Sequence, residues 1–320
     1  MAHNLYQGTM AWTGEKPWHK LGIQFDQPFT AEEAITAARL GYNVSKRPMY
    51  LDNGNRVPNA MATVNDDTNE VLGVVGNRYT VLQNVNAFGF FDSLLRDAGA
   101  KYETAGALGK GERIWLMARM PGTLVPVRGD EVLPYCLLTN SHDGSGTIQV
   151  RFTLIRVVCK NTLTAAMSKA KDIINIRHTA SAHNNLLVAG EILRDYVTHF
   201  GAMGDRLSLL AATPITDETV DEYMMKLFGD PSEAENANAA SRIQNKIDAV
   251  QDHYERGMGA NLPGVKGTLW GAYNAALEWT DYEFPVKGTT DRTQSVLFGA
   301  ANDFRQKAFD AAMELAGVTA

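Results

Sequence analysis

Apolar and polar positions alternate most regularly between Thr147 and Leu154. Ile148, Val150, Phe152 and Leu154 fall on one side, and Gln149, Arg151 and Thr153 on the other, which is the period-two pattern of a half-buried strand. The parity then slips. Leu154 and Ile155 are both apolar, Arg156 is polar, and Val157 and Cys159 take over the buried phase. A one-residue bulge near Leu154-Ile155 accounts for the slip and predicts Arg151 and Arg156 on one exposed face. Asp143-Gly144 and Ser145-Gly146 precede the strand as turn dipeptides. Lys160 and Asn161 close it, and Thr162 is expected to cap a helix through Ala165, Ala166 and Met167.

The same reading places the other elements. The stretch before Gly22, with Trp12 and W-H-K-L-G at Trp18, lacks periodicity and reads as an arm or loop packing its aromatics on the body, with His19 as a structural histidine. Thr30-Ala31-Glu32-Glu33 is a capping box opening a helix that stops at Gly41. Strand signals cover 43–51, 57–64 and 71–82, the last two forming a hairpin around the polar turn at Asp66-Asp67. Asn84 is expected to cap a helix carrying Phe88 and Phe91, and strands follow at Tyr102, Arg113–Met120 and Val132–Thr139. Past residue 180 the pattern is helical: 186–210, 216–228, 232–258, 267–279 and 293–315, with 230–240 as the expected mobile connection. The predicted class is α+β: an antiparallel β-hairpin sheet with packed helices in the N-terminal half and a mostly α-helical C-terminal half. The expected domains are 1–180, an α+β domain with the basic hairpin, and 181–320, a helical, acidic region.

Composition narrows the class. The chain has 320 residues, 45% hydrophobic and 21% charged, as in a soluble globular protein. No apolar run approaches the roughly 20 residues of a membrane span, so no membrane partner is expected. The N-terminus shows no charged region followed by an apolar core, so no secretion signal is expected. Two cysteines, Cys136 and Cys159, support no disulfide framework and point to reduced thiols in a cytoplasm. The net charge of −6 argues against a generally basic nucleic-acid binder, but it is unevenly distributed. Residues 101–190 carry 11 Lys/Arg against 6 Asp/Glu, while 191–320 carry 11 against 20. A basic middle suits a centrally held anion, or two halves that attract each other.

Four sets of residues could carry chemistry. Ser141, His142 and Asp143 are the residue types of a hydrolase triad, but neighbours on one turn cannot stack into a relay, so a polar turn is expected. Cys159 lies on the apolar side of its strand, where burial quenches a thiol nucleophile. His142, Asp143, His178 and His183 form a possible metal set, although the spacing of the last two fits no common zinc framework. Arg113, Arg119, Arg151, Arg156, Lys160, Lys169, Lys171 and Arg177 are a basic set interleaved with aromatics, of which Trp115 and Tyr135 are the possible stacking residues. On an exposed sheet face they would line a groove for a single-stranded backbone; otherwise the aromatics are core and the cations an ordinary wet face. No cofactor is expected.

Several strings look familiar together: W-H-K-L-G at Trp18, G-V-V-G-N-R-Y-T-V-L-Q-N at Gly73, N-S-H-D-G-S at Asn140, R-V-V-C-K-N-T-L at Arg156, I-R-H-T at Ile176 and G-T-L-W-G-A-Y-N-A at Gly267. They resemble the phage/plasmid-like protein family, carried as domain of unknown function 932, over nearly the whole chain. The resemblance implies a gene of phage or plasmid origin at work in a bacterial cytoplasm, and it brings no catalytic residue with it. The leading expectation is a non-enzymatic, homo-oligomeric protein that binds single-stranded or duplex DNA in replication or recombination, similar to single-strand annealing proteins. The alternatives are a metal-dependent or hydrolytic enzyme using His142, Asp143 and His178, and an interaction protein acting on a host factor in counter-defence.

Overall fold

A computed structural model describes residues 5–14, 21–156, 162–163, 173–182, 196–285 and 300–318. The chain divides into two compact units, each assembled from three segments: 1–121, 135–152 and 170–196 in the first, and 122–134, 153–169 and 197–320 in the second. The units are therefore discontinuous in sequence, where the pattern along the chain suggests a single boundary near 180.

In the first unit, β1 (Leu5–Thr13), β2 (Ile23–Phe25), β6 (Lys101–Leu108), β7 (Arg113–Arg119), β9 (Asp130–Ser141, within the unit from Tyr135) and β10 (Ile148–Arg156, within it to Phe152) line up as β10-β9-β7-β6-β1-β2. β12 (Ile173–Ile176) pairs antiparallel with β10, and β1 runs parallel to β2. A second sheet is the meander β3 (Val44–Tyr50), β4 (Arg56–Asn65) and β5 (Val71–Gly76). The first helix, α1 (Ala31–Ala37), packs on β1 and β6, while α2 (Asn84–Ala98) packs on α1 and β7. Thr30 Oγ1 accepts from the Glu33 amide at 3.2 Å and the Glu33 carboxylate accepts from the Thr30 amide at 2.7 Å, so the capping box forms as its sequence predicts. Phe88 and Phe91 are buried beneath α2.

Three expectations change here. The N-terminal stretch is not a loop over 5–13: it is a strand on β6, with Trp12 buried. Asn84 does not cap α2, because its amide bonds outward to Leu40 and His142. Thr162 opens no helix, because Thr162–Leu163 is β11, paired antiparallel with the end of β10. Residues 164–172, the rest of that predicted helix, lie outside the described residues.

In the second unit, β8 (Leu124–Val127) pairs with the start of β9, and helices α3 (Tyr196–Ala212), α4 (Asp217–Phe228), α5 (Ala237–Arg256), α6 (Leu269–Tyr282) and α7 (Ala300–Leu315) surround one core. The expected mobile connection contains a 3-10 turn, Pro231–Glu233, capped by Asp230, followed by α5. α6 is buried at every position from Leu269 to Thr280. A helix buried on all sides must be central. Two of its polar residues bond within it, Asn274 donating to the Trp270 carbonyl at 2.7 Å and Thr280 to that of Ala276 at 2.6 Å, while Glu278 accepts from the Met258 amide at 3.0 Å. Among the described residues no helix is long and apolar enough to cross a membrane.

Candidate functional site

The predicted basic face on β10 does not form. Arg156 is 1% exposed and pairs with Asp130 through two nitrogens: Nε donates to Oδ1 at 2.7 Å and Nη2 to Oδ2 at 2.7 Å. The guanidinium also donates to the carbonyls of Met258 and Gly259 at 3.2 and 3.3 Å and lies 5.7 Å from the Trp270 ring centroid. Trp270 Nε1 donates to the same carboxylate at 2.7 Å. The physical reason is parity: Arg156 keeps step with the buried Ile148, Val150 and Leu154. Arg151, on the other parity, is 8% exposed, and burial pulls its pKa down to about 10. The two arginines do not share an exposed face.

The remaining basic residues are dispersed. Arg113 is half-buried and donates to Asp143 at 3.2 Å and to Ser145 Oγ at 2.9 Å, while Arg119 and Arg177 are exposed. Lys160, Lys169 and Lys171 lie outside the described residues. Neither expected stacking ring presents a face. Trp115 is buried over Gly106, where an added Cβ would come within 2.4 Å of the indole, and its Nε1 donates to Thr104 at 3.3 Å. Tyr135 is buried and donates to Glu103 at 2.7 Å.

The fold does bring together His142, Asp143 and His178, all in the first unit. The segment 79–84 is the organiser. Tyr79 stacks on His178 with centroids 4.5 Å apart and donates to the Ser141 carbonyl at 2.8 Å. The Thr80 carbonyl lies 3.2 Å from His178 Nδ1, the Leu82 carbonyl accepts from Asn140 Nδ2 at 3.1 Å, and Asn84 Oδ1 lies 2.8 Å from His142 Nε2. Thr63 Oγ1 donates to the His142 carbonyl at 2.7 Å. Three of the strings that looked familiar, at Gly73, Asn140 and Ile176, therefore meet at one place.

The electrostatics follow from burial. Burial, with His178 nearby, drives the His142 pKa to about 3, and burial also lowers that of His178, so both rings stay neutral. Burial pushes the Asp143 carboxyl up, but hydrogen bonds from Ser141 and Ser145 and the Arg113 charge outweigh it and hold the group below the usual carboxylate range. Ser141 Oγ bonds Asp143 while His142 turns to Asn84, so the three adjacent residues form the expected polar turn and no relay. Three buried atoms of this cluster have no hydrogen-bond partner among the described residues: His142 Nδ1, His178 Nε2 and Asn140 Oδ1. His183 and Cys159 lie outside the described residues. Among the described ones no three His, Cys, Asp or Glu side chains group as metal ligands. Cys136 is buried, which raises its thiol pKa.

Sequence reading missed one feature. No residue from Ser45 to Met61 is buried, so the outer part of the β3–β4 hairpin is an arm exposed on both faces. β5 covers β4 only over 60–64. Tyr50, 60% exposed, sits opposite Arg56, and Leu51 beside it is 57% exposed. At the base, Lys46 Nζ donates to the carbonyls of Asn77 and Tyr79 at 2.9 and 2.6 Å, and Asn77 Nδ2 donates to Asn59 at 3.2 Å; Arg78, between the two bonded residues, is exposed. Arg47 pairs with Asp66 at 2.9 Å. A cleft of about 450 Å³ lined by Phe29, Asp92, Lys101 and Tyr102 holds none of the candidate catalytic, metal or nucleic-acid residues named from sequence.

The family model for the domain of unknown function DUF932 matches residues 71–300. The match takes in the histidine cluster and the Asp130–Arg156–Trp270 group and begins beyond the arm. No curated protein and no solved structure matches the chain.

Proposed function

The chain belongs to the DUF932 family, and from that premise we propose that it binds nucleic acid, with the β3–β4 arm in place of β10 as the contact surface. The observation that carries the reading is the arm itself, a two-stranded ribbon exposed on both faces with Tyr50 opposite Arg56 and with Arg78 at its base. A ribbon of this width fits a major groove, and an exposed tyrosine beside arginines can stack unpaired bases while the cations hold phosphates. Single-stranded DNA is the preferred ligand of this reading, because Tyr50 offers a free ring face and base stacking is worth about 1–3 kcal/mol per base. In the same reading the protein serves phage or plasmid DNA replication or recombination as an oligomer in a bacterial cytoplasm, the setting that its motifs resemble.

The test is fluorescence anisotropy of a labelled oligothymidine titrated with the full chain over a range of salt. Binding should weaken steeply with salt, and Arg56→Ala/Arg78→Ala should lower the salt slope by about 1.4, roughly 0.7 for each single-strand phosphate that is no longer neutralised. Absence of binding at low ionic strength, or full binding by the double variant, rejects the proposal.

A further inference from the structure

We infer that His142 and His178 together hold a divalent transition-metal ion of the zinc class, with the Asn140 side-chain oxygen as a further donor. The argument begins from where the protons must be. Asn84 Nδ2 donates to the Leu40 carbonyl at 3.0 Å, which turns the oxygen end of its amide toward His142, so His142 Nε2 carries the proton and Nδ1 a bare lone pair. His178 Nδ1 faces the Thr80 carbonyl at 3.2 Å; a carbonyl only accepts, so Nδ1 carries the proton and Nε2 the lone pair. Asn140 spends its amide nitrogen on the Leu82 carbonyl at 3.1 Å, leaving its oxygen bare. All three bare atoms are buried acceptors without a protein donor.

Such a set is costly unless something electron-poor meets it. A buried water donates two hydrogen bonds, one short of three acceptors, and receives none from these side chains. A cation satisfies acceptors alone. Imidazole nitrogens favour zinc-class ions over magnesium or calcium, and histidines that bind metal characteristically donate their second N–H to an oxygen, as both rings do here. Asn140, near the end of β9, and His142, just past it, both bond to the segment 82–84. The Tyr79 ring stacked on His178 reaches Ser141 with its hydroxyl and so ties the second imidazole to the first.

The experiment takes the full-length chain, strips it with a chelator and titrates it with Zn²⁺ by calorimetry and with Co²⁺ by visible absorption. The expected result is one ion per chain, a Co²⁺ ligand-field spectrum, and at least a tenfold loss of affinity in His178→Gln. Since loss in a buried variant could reflect misfolding, urea midpoints of ion-free wild type and ion-free His178→Gln are compared. A variant that folds like the stripped wild type yet binds Zn²⁺ at least tenfold more weakly supports the inference, and one that folds alike and binds equally well overturns it. No bound ion in the wild-type chain overturns the inference in favour of a buried water. Stoichiometric binding that His142→Gln/His178→Gln leaves unchanged overturns it in favour of a site elsewhere.

Discussion

Arg156 and Asp130 form a buried two-point ion pair, with Nε and Nη2 each donating to the carboxylate at 2.7 Å. Trp270 completes it by donating to Asp130 at 2.7 Å, so the β8–β9 turn, the end of β10 and the central helix of the second unit meet on one carboxylate. Removing one partner leaves the other charge buried without compensation, which costs about 3–5 kcal/mol. Arg156→Ala should therefore lower the urea midpoint of the second unit strongly. Trp270→Phe, which removes only a hydrogen bond to a charged acceptor and some ring area, should cost about 1.5–3 kcal/mol. Asp130→Leu/Arg156→Met, which removes both charges, should recover much of the loss of Arg156→Ala. Equal urea midpoints for wild type and Arg156→Ala would show that the pair does not hold the fold.

That pair also marks the boundary of what local pattern can reveal. The Leu154-Ile155 slip suggested a bulge and an exposed Arg156, but its partners lie 26 residues away at Asp130 and at Trp270, which is itself 140 residues from Asp130. Periodicity reports which side of a strand a residue takes, not whether a distant carboxylate waits there. Features that close within a few residues were legible: the Thr30–Glu33 box and the helices read over 216–228 and 267–279. The turn at Ser141–Asp143 was legible too, because spacing alone excluded a relay. The arm was not, since Lys46 to Arg56 carries ordinary strand residues, and its exposure arises only because no layer covers it. The histidine cluster lay between these cases: its strings were visible separately, and only the segment 79–84 brings them together.

Two glycine substitutions should act in opposite directions. A Cβ on Gly73 would fall 2.4 Å from Asp143 Cα and 2.5 Å from its carbonyl oxygen, backbone atoms that cannot rotate aside. Gly73→Ala should therefore displace the turn that carries His142 and Asp143 and cost about 1–3 kcal/mol. Gly89, within α2, has no atom within 4 Å of its added Cβ, so Gly89→Ala should gain about 0.5–1 kcal/mol from helix propensity and a less flexible unfolded chain. Thermal unfolding of the two variants beside wild type checks both signs, and a stabilised Gly73→Ala would contradict the packing of the turn on β5.

Asn84 ties α2 to two other elements at once, through the Leu40 carbonyl at 3.0 Å and His142 at 2.8 Å. Asn84→Ala should strand a buried carbonyl and a buried imidazole N–H, each costing about 1–3 kcal/mol. Asn84→Asp should also be destabilising, because a carboxylate can meet the His142 N–H but cannot donate to Leu40. Chemical denaturation should rank wild type above both variants. A stability of Asn84→Ala equal to wild type would mean that solvent replaces both bonds.

His253, on α5, provides the pH test. Its Nδ1 lies 3.2 Å from Glu278 and its Nε2 2.9 Å from Glu283. Burial alone would lower its pKa, but the hydrogen bonds and charges of the two glutamates outweigh burial and raise it above the ordinary 6.5. The folded chain therefore holds the proton more tightly than the unfolded one. The stabilisation is complete below pH 6.5 and is lost as pH rises through the folded value. His253→Gln, which cannot carry the charge, should be less stable than wild type at pH 5.5, with the difference narrowing toward pH 8.5. Urea midpoints of the two proteins across that range isolate this histidine from the others, and a difference that widens as pH rises would reverse the assigned sign.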